Sequence, residues 1–313
     1  MIFKKPKFWD YKKPNILSYF LLPLTLPIII NNFFLNRKKI QRAKQKTKQI
    51  CIGNIYIGGT AKTPLTIKIY QVLESLGFKT ATVKKFYTNH RDEQTMLGEK
   101  TNFYCEKKRK DALNKAIKDD MDVVLFDDGL QDKSMNYDLK FVCFNNIKWV
   151  GNGFLIPAGP LREKISSILK YDVVFLNGNE SNNSALKLLL KNCNADIKIF
   201  ESLYKAVNLN QFNINEKYLI FSGIGNPESF REILLKNKFN IIKEMIFPDH
   251  YSYTQKDIDH IRLQAKQLNS KILTTEKDYI KIASDKNNDI KFLKIELDIK
   301  NEKELINYLK LYI

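Results

Sequence analysis

Histidine is scarce in this chain, with only His90, His250 and His260 among 313 residues. Proton transfer near neutral pH therefore has few sites to choose from. Cysteine is also rare. Cys51, Cys105, Cys143 and Cys193 lie far apart, without the paired spacing of a zinc site or the density of a disulfide framework, which fits a reducing compartment. No apolar run reaches the roughly 20 unbroken residues of a spanning helix. There is no internal repeat, and no low-complexity tract beyond a general asparagine bias. Acidic residues are fewer than basic ones, 34 against 52, so the net charge is +18 and anionic partners are favoured: nucleotides, nucleic acid or a negatively charged membrane surface. Lysine, isoleucine and asparagine are abundant throughout, and a biased genome produces much of that excess unaided.

What is present is enough for a large globular chain. A 44% hydrophobic content over this length predicts two domains, each with its own core. The order of apolar runs and helical spacings alternates strand and helix, so the expected class is α/β with mainly parallel sheets.

The central stretch is Gly53 to Pro64, GNIYIGGTAKTP, between an apolar run (Gln49 to Ile57) and an amphipathic one (Leu65 to Leu76). Small residues there let backbone N–H groups approach phosphate oxygens, and a helix N-terminus adds partial positive charge. Gly58, Gly59, Thr60, Ala61, Lys62 and Thr63 form the expected phosphate cradle, with Lys62 and Thr63 reaching the terminal phosphates and Mg²⁺. The stretch departs from the usual pattern, because the two glycines required ahead of the lysine fall on Tyr56 and Ala61. Downstream, Met121 to Phe126 reads as an apolar strand ending in Asp127 and Asp128. A carboxylate at that edge can hold Mg²⁺ beside the phosphates. Asp127 is read as the metal residue, and Asp128, next to Gly129, is equally a turn residue.

Residues 1–48 differ in composition. Phe3, Phe8, Trp9 and Tyr11 precede an apolar run, Ile16 to Ile30, interrupted by Pro23 and Pro27; Phe33, Phe34 and Leu35 follow. Seven basic residues come next: Arg37, Lys38, Lys39, Arg42, Lys44, Lys46 and Lys48. The pattern fits an interfacial segment, with apolar side chains at the headgroup boundary and a basic cluster facing acidic lipid. A cleaved signal peptide does not fit, because the apolar run comes late and no small-residue cleavage site follows it.

Further on, Lys79 to Val83 reads as a strand, Tyr87 to Gly98 as a polar loop holding Asp92 and Glu93, and Lys107 to Lys118 as a helix. Leu139 to Phe144 and Tyr171 to Leu176 read as strands separated by the loop Gly151 to Lys164. An asparagine-rich interval at Val207 to Glu216 marks a domain boundary. Beyond it lie a strand (Tyr218 to Phe221), a turn, a helix (Pro227 to Lys236), a strand (Ile241 to Phe247), the loop Pro248 to Tyr251, a helix (Asp257 to Leu268) and a strand (Lys271 to Thr275). The domains expected are 1–48 (membrane-associating), 49–208 (phosphate-loop) and 209–313 (smaller α/β). His250 sits in a loop at a strand's C-terminal edge, a place that suits proton transfer; His260 lies among basic residues on a helix and reads as solvated.

Taken together and in order, GNIYIGGTAKTP, RDEQ (Arg91 to Gln94), DDGLQ (Asp127 to Gln131), GNGFLIPAGPLRE (Gly151 to Glu163), FSGIGNP (Phe221 to Pro227), FPDHYSYT (Phe247 to Thr254) and TTEKD (Thr274 to Asp278) resemble tetraacyldisaccharide 4'-kinases over nearly the whole chain. The resemblance implies two α/β/α domains across a cleft, the N-terminal one built like a P-loop NTPase and the C-terminal one smaller, with a membrane-associated N-terminal helix. It implies ATP and Mg²⁺, a tetraacylated glucosamine disaccharide 1-phosphate as acceptor, and a place at the cytoplasmic face of the bacterial inner membrane. No nucleic acid and no protein partner are implied. Residue by residue, it gives Lys62 and Thr63 the phosphate-loop roles and Asp127, beside Asp128, the metal role. Asp92 and His250 become a pair that takes the proton from the attacking sugar hydroxyl.

The departures are local. Ala61 stands for a glycine, Lys84-Lys85-Phe86-Tyr87 for SRGY, Arg91 and Gln94 for Gly and Pro around the acidic pair, and Asp132 for a histidine. Ala61 adds one methyl group, compatible with a negative φ. The alternative to a lipid kinase is a basic nucleotide-dependent switch or nucleic-acid-binding ATPase, which the charge and the loop permit. Against it, the sequence holds no recognition helix and no aromatic-rich RNA-binding motif.

Overall fold

A computed structural model of the chain describes residues 5–37, 46–88, 90–178, 183–282 and 288–313, with backbone only for 33–37. Most of the basic cluster after the apolar run, from the Arg37 side chain to Lys44, lies outside the described residues, as does Phe3.

In chain order the elements are α1 (Ile16–Phe20), α2 (Leu26–Arg37), β1 (Lys48–Gly53), α3 (Lys62–Ser75), β2 (Thr80–Lys85), α4 (Arg91–Lys100), β3 (Phe103–Glu106), α5 (Arg109–Lys118), β4 (Val123–Asp127) and β5 (Leu139–Asn145). Then come β6 (Val173–Gly178), α6 (Ser184–Cys193), β7 (Lys198–Ala206), β8 (Lys217–Ser222), α7 (Pro227–Lys236), β9 (Asn240–Ile246) and α8 (Gln255–Gln267). The last are β10 (Lys271–Thr275), α9 (Glu276–Ile282), β11 (Ile290–Leu293), β12 (Ile295–Ile299) and α10 (Glu302–Tyr312). The expected α/β alternation is present.

The strands form two sheets, ordered β12-β7-β6-β5-β1-β4-β2-β3 and β11-β10-β8-β9. Every pairing from β7 to β3, and every one in the smaller sheet, is parallel. A parallel strand covered on both faces must be apolar throughout rather than alternately. β4 and β6 obey this, since every residue of each is buried. Cys51, Val124, Phe126, Val142, Phe144 and Val174 pack with Ala112, Leu113 and Ala116 of α5 in one cluster. In the smaller sheet the faces separate with period two. Tyr218 and Ile220 join Phe230 and Leu234 of α7, whereas Leu219 and Phe221 join Ile258 and Ile261 of α8. The start of α8 is fixed by a capping box, in which Thr254 and Asp257 satisfy each other's backbone N–H groups.

By contact the chain divides into two compact units. One comprises the described residues within 5–86, 100–203 and 299–313; the other comprises those within 87–99 and 204–298. The second therefore takes α4 from the middle of the chain and leaves α10 to the first.

Several sequence readings change. Tyr87 to Gly98 is no loop, because α4 begins at Arg91 and its buried Met96 and Leu97 anchor a helix whose composition is otherwise polar. Of the apolar run from Gln49 to Ile57, only the part up to Gly53 is strand; a Cβ at Gly53 would lie 2.6 Å from the Leu130 side chain. Pro23 and Pro27 do not break a helix from within. Pro23 lies in the first turn of a 3₁₀ helix (Leu22–Thr25) and Pro27 is the second residue of α2, where the missing N–H costs nothing. Among the described residues no helix is long and apolar enough to cross a membrane. Ile16, Tyr19, Phe20, Leu24, Leu26 and Ile30 are nonetheless exposed, Ile16 by 89% and Phe20 by 79%.

Candidate functional site

In the larger unit, β1 delivers the chain to the loop and α3 begins at Lys62. Gly58 has φ +147, and a Cβ there would lie 2.8 Å from the Tyr56 ring, so only glycine lets the loop pass over that buried tyrosine. The loop is tied on both sides. Asn54 Nδ2 donates to Thr60 Oγ1 at 2.9 Å, and Asn177 Nδ2, at the end of β6, donates to the Thr60 carbonyl at 2.7 Å. The segment Gly151 to Glu163 runs beside it, with Ile57 N donating to Pro160 O and Arg162 N to Ile55 O.

Ala61 has φ +64 and ψ 28, the left-handed region. The negative φ that would suit its methyl group is not what the loop adopts, and the conformation costs about 1 kcal/mol relative to glycine. Ala61 is the N-cap of α3 and takes this conformation where an N-cap is ordinarily extended.

Thr63 and Asp127 meet. Thr63 Oγ1 donates to Asp127 Oδ2 at 2.9 Å, both groups being buried. The same oxygen accepts from Lys84 Nζ at 2.6 Å. Asp127 Oδ1 is buried and has no hydrogen-bonding partner. A threonine hydroxyl and a carboxylate oxygen with open lone pairs are hard oxygen donors, and they fit a cation such as Mg²⁺. Asp128, at φ +59, turns the chain out of β4. Its Oδ1 lies 3.9 Å from Lys62 Nζ and 3.4 Å from Arg162 Nη1, so the turn residue is also a charged one. Arg109 Nη1 binds Asp132 Oδ2 at 2.9 Å and its Nη2 reaches the Asp128 carbonyl. Asp132, where a histidine was expected, thus holds the guanidinium that braces this turn.

In the smaller unit a second charged group forms. Asp92, in the first turn of α4 and 3% exposed, has both carboxylate oxygens 3.2 Å from His250 Nδ1. His250 follows β9 and carries φ +56. Lys277 Nζ lies 3.5 Å from Asp92 Oδ2, 3.3 Å from Glu93 Oε1 and 3.5 Å from Asp249 Oδ1. Lys281 Nζ lies 3.5 Å from Asp92 Oδ2 and 2.9 Å from Asp278 Oδ1. Burial alone would raise the Asp92 carboxyl. The His250 hydrogen bond and the Lys277, His250 and Lys281 charges outweigh it and hold the group well below the usual carboxylate range. Burial works against the Lys277 ammonium, yet Glu93, Asp249 and Asp92 keep it charged, well above its ordinary value.

The His90 ring stacks on His250 at 4.3 Å between centroids. Sequence reasoning passed over His90, Lys277, Lys281 and Arg162. The TTEKD motif contained Lys277, but nothing in its spacing tied that lysine to α4, nearly 190 residues away. Lys84, in the stretch that replaces SRGY, can stand in for the charge of the missing arginine, but nothing in the sequence pairs it with Asp127.

The arrangement can bind phosphates on one unit and hold an acid–imidazole pair on the other. The sequence profile of the tetraacyldisaccharide-1-P 4'-kinase family matches residues 17–313. A tetraacyldisaccharide 4'-kinase from Pelagibacter ubique (strain HTCC1062) is 46% identical over 309 residues, covering 99% of this chain and 98% of its own. One from Rickettsia canadensis is 36% identical over 316 residues, with 95% and 93% covered. In structure, the chain is similar to LpxK from Aquifex aeolicus, crystallised with ATP, at a TM-score of 0.69 and 18% identity; the match spans 95% of this chain and 100% of that one. At that identity the likeness carries the fold.

Proposed function

Because the chain belongs to the tetraacyldisaccharide-1-P 4'-kinase family, we propose that it transfers the γ-phosphoryl group of ATP to the 4'-hydroxyl of a tetraacylated glucosamine disaccharide 1-phosphate. The observation that carries the reading is the meeting of Thr63 and Asp127 at the entry to α3, directly beside Lys62. Phosphoryl transfer needs positioning and charge neutralisation more than covalent chemistry. The backbone from Gly58 to Ala61 and the Lys62 ammonium hold the β- and γ-phosphates. Thr63 and Asp127, with Asp128 beside them, would hold Mg²⁺, which would supply neutralising charge when bound.

His250 takes the proton as the sugar oxygen bonds to the γ-phosphorus and the bond to the ADP oxygen breaks. Its Nδ1 faces Asp92, leaving Nε2 for the hydroxyl. Asp92 fixes the ring and offsets the charge of the imidazolium. The exposed apolar side chains from Ile16 to Ile30 rest at the cytoplasmic face of the inner membrane, peripherally or monotopically, where the acyl chains of the acceptor reside.

The test is purified protein with radiolabelled ATP, Mg²⁺ and the disaccharide lipid in mixed micelles. A 4'-phosphorylated product is expected. No product under conditions where the Pelagibacter relative is active would overturn the reading.

A further inference from the structure

Lys84 is a charged residue in the sheet interior, and the kinase chemistry above does not use it. It lies on β2, one step beyond the Val83–Phe126 pair of the parallel ladder, so its side chain shares a face with Asp127 on β4. Residue and partner are both buried, with side-chain exposures of 2% and 0%. A lysine is almost never buried without a counter-charge, and this one has its ammonium 2.6 Å from Asp127 Oδ2.

The neighbouring carboxylate is treated the same way, since Asp128 Oδ1 faces Lys62 and Arg162. Both acids at the end of β4 are thus balanced by cations of the chain itself before any metal arrives. The two balances differ in kind. The Lys62 and Arg162 side chains are partly exposed, whereas that of Lys84 is buried.

We propose that Lys84 is the resident counter-cation of Asp127 and sets a weakened, readily reversible hold on the divalent cation that accompanies the nucleotide. The proposal rests on the kinase reading. A divalent ion next to a carboxylate already paired with an ammonium gains less than one next to a bare carboxylate, and it meets repulsion from that ammonium. The folded chain, for its part, keeps Asp127 buried without metal, because the ion pair replaces the lost hydration. Lys84 is a positioning residue in this account: it acts on the metal only through Asp127.

The test measures binding of a fluorescent ATP analogue to the full chain as Mg²⁺ is titrated, alongside thermal unfolding without metal. Lys84→Met keeps the length and apolar stem but removes the charge. The Mg²⁺ concentration at half-saturation is expected to fall about tenfold or more. The metal-free melting temperature should drop and be regained when Mg²⁺ and the analogue are added. Lys84→Arg should stay within about twofold of the parent in Mg²⁺ dependence, since the charge is retained.

An unchanged or higher Mg²⁺ requirement in Lys84→Met would overturn the proposal. If that variant does not fold, the Lys84→Met/Asp127→Asn double variant carries the test, because removing both charges should restore metal-free stability towards the parent. Instability in the double variant equal to that of the single one overturns it as well. A parent protein that fails to bind the analogue with Mg²⁺ would remove the kinase reading itself, whereas parent binding with an unaltered response in Lys84→Met removes only the role given to Lys84.

Discussion

The Asp92–His250 pair makes a prediction that can be worked from distances. An imidazolium at His250 Nδ1 lies 3.2 Å from both carboxylate oxygens. At an effective dielectric of about 20, one charge pair at that separation is worth at most about 5 kcal/mol. Lys277 and Lys281 each stand 3.5 Å from Asp92 Oδ2 and draw on the same negative charge. Glu93 and Asp249 approach His250 Nε2 at 3.8 and 3.9 Å and would remain after Asp92 is neutralised. The net loss for Asp92→Asn is therefore below the ceiling, about 3 to 4 kcal/mol in the transition state, or 10² to 10³ in kcat. His250→Ala should cost 10² to 10⁴, the usual range for a general base. If the carboxylate works only through the imidazole, the double variant is no slower than His250→Ala, and the coupling nearly equals the Asp92→Asn effect. The assay is steady-state turnover with saturating ATP and varied lipid acceptor, with nucleotide affinity measured separately and expected to stay within about twofold. Multiplying losses, or a fall in nucleotide affinity matching the fall in kcat, would refute the pairing and move His250 out of the acceptor's half of the reaction.

Three further outcomes follow from the same geometry. Lys62→Ala should reduce ATP affinity or turnover by about 10² or more, measured by nucleotide titration and product formation, since no other described lysine stands at the entry to α3. Ile16→Ser with Phe20→Ser should cut association with acidic phospholipid vesicles by tenfold or more in a flotation assay, at about 1.5 to 3 kcal/mol per exposed side chain transferred, and leave the unfolding temperature nearly unchanged. Because the folded-state titration of Asp92 lies below its ordinary range, it adds stability that is complete above about pH 4 and is lost as the pH falls through the lower folded value. In urea unfolding the parent should exceed Asp92→Asn by about 2 kcal/mol at neutral pH, and the gap should narrow steadily towards about pH 2; a constant gap would contradict the assignment.

Regular elements were legible where periodicity and punctuation agreed. Pro227 and the apolar spacing behind it marked α7, and the β-branched run Lys271 to Thr275 marked β10. Elements without such signals were missed. In α4 the sequence shows acids and amides, and only the burial of Asp92, Met96 and Leu97 explains why that surface is helical. β7 was invisible because most of its residues are only partly buried, Lys198, Glu201, Ser202 and Lys205 interrupt its apolar ones, and it leads straight into the asparagine-rich interval. Short motifs singled out Gly58 to Thr63, Asp92 and His250, and the structure sets the first stretch at the entry to α3 and brings the last two into contact. The lysines that set the charge around Asp92 come from α9, and their proximity to α4 is a property of the fold. The conformation of Ala61 was misjudged for a related reason. Sequence specified the methyl group, but the left-handed φ at the start of α3 is a property of the folded loop.

The chemistry in both units collects at one kind of place. In the larger sheet, Lys62 follows β1, Asp127 ends β4 and Asn177 lies near the end of β6. In the smaller one, His250 follows β9, and Lys277 and Asp278 follow β10. These are all carboxyl ends of parallel strands, where the strands diverge and loops are free to differ without disturbing the ladder. The consequence is that stability and reactivity are separable within each sheet. Further inside, Phe126 and Leu273 are wholly buried and apolar, whereas Lys84 on β2 is buried and charged. Asp127 departs from that separation together with Lys84, because it is an acid that is both the last residue of β4 and 0% exposed. A carboxylate there cannot be left to solvent for neutralisation, and the chain supplies Thr63 and Lys84 instead. The one acid that the strand itself carries to the phosphate loop is thus the one whose charge the sheet must answer from within.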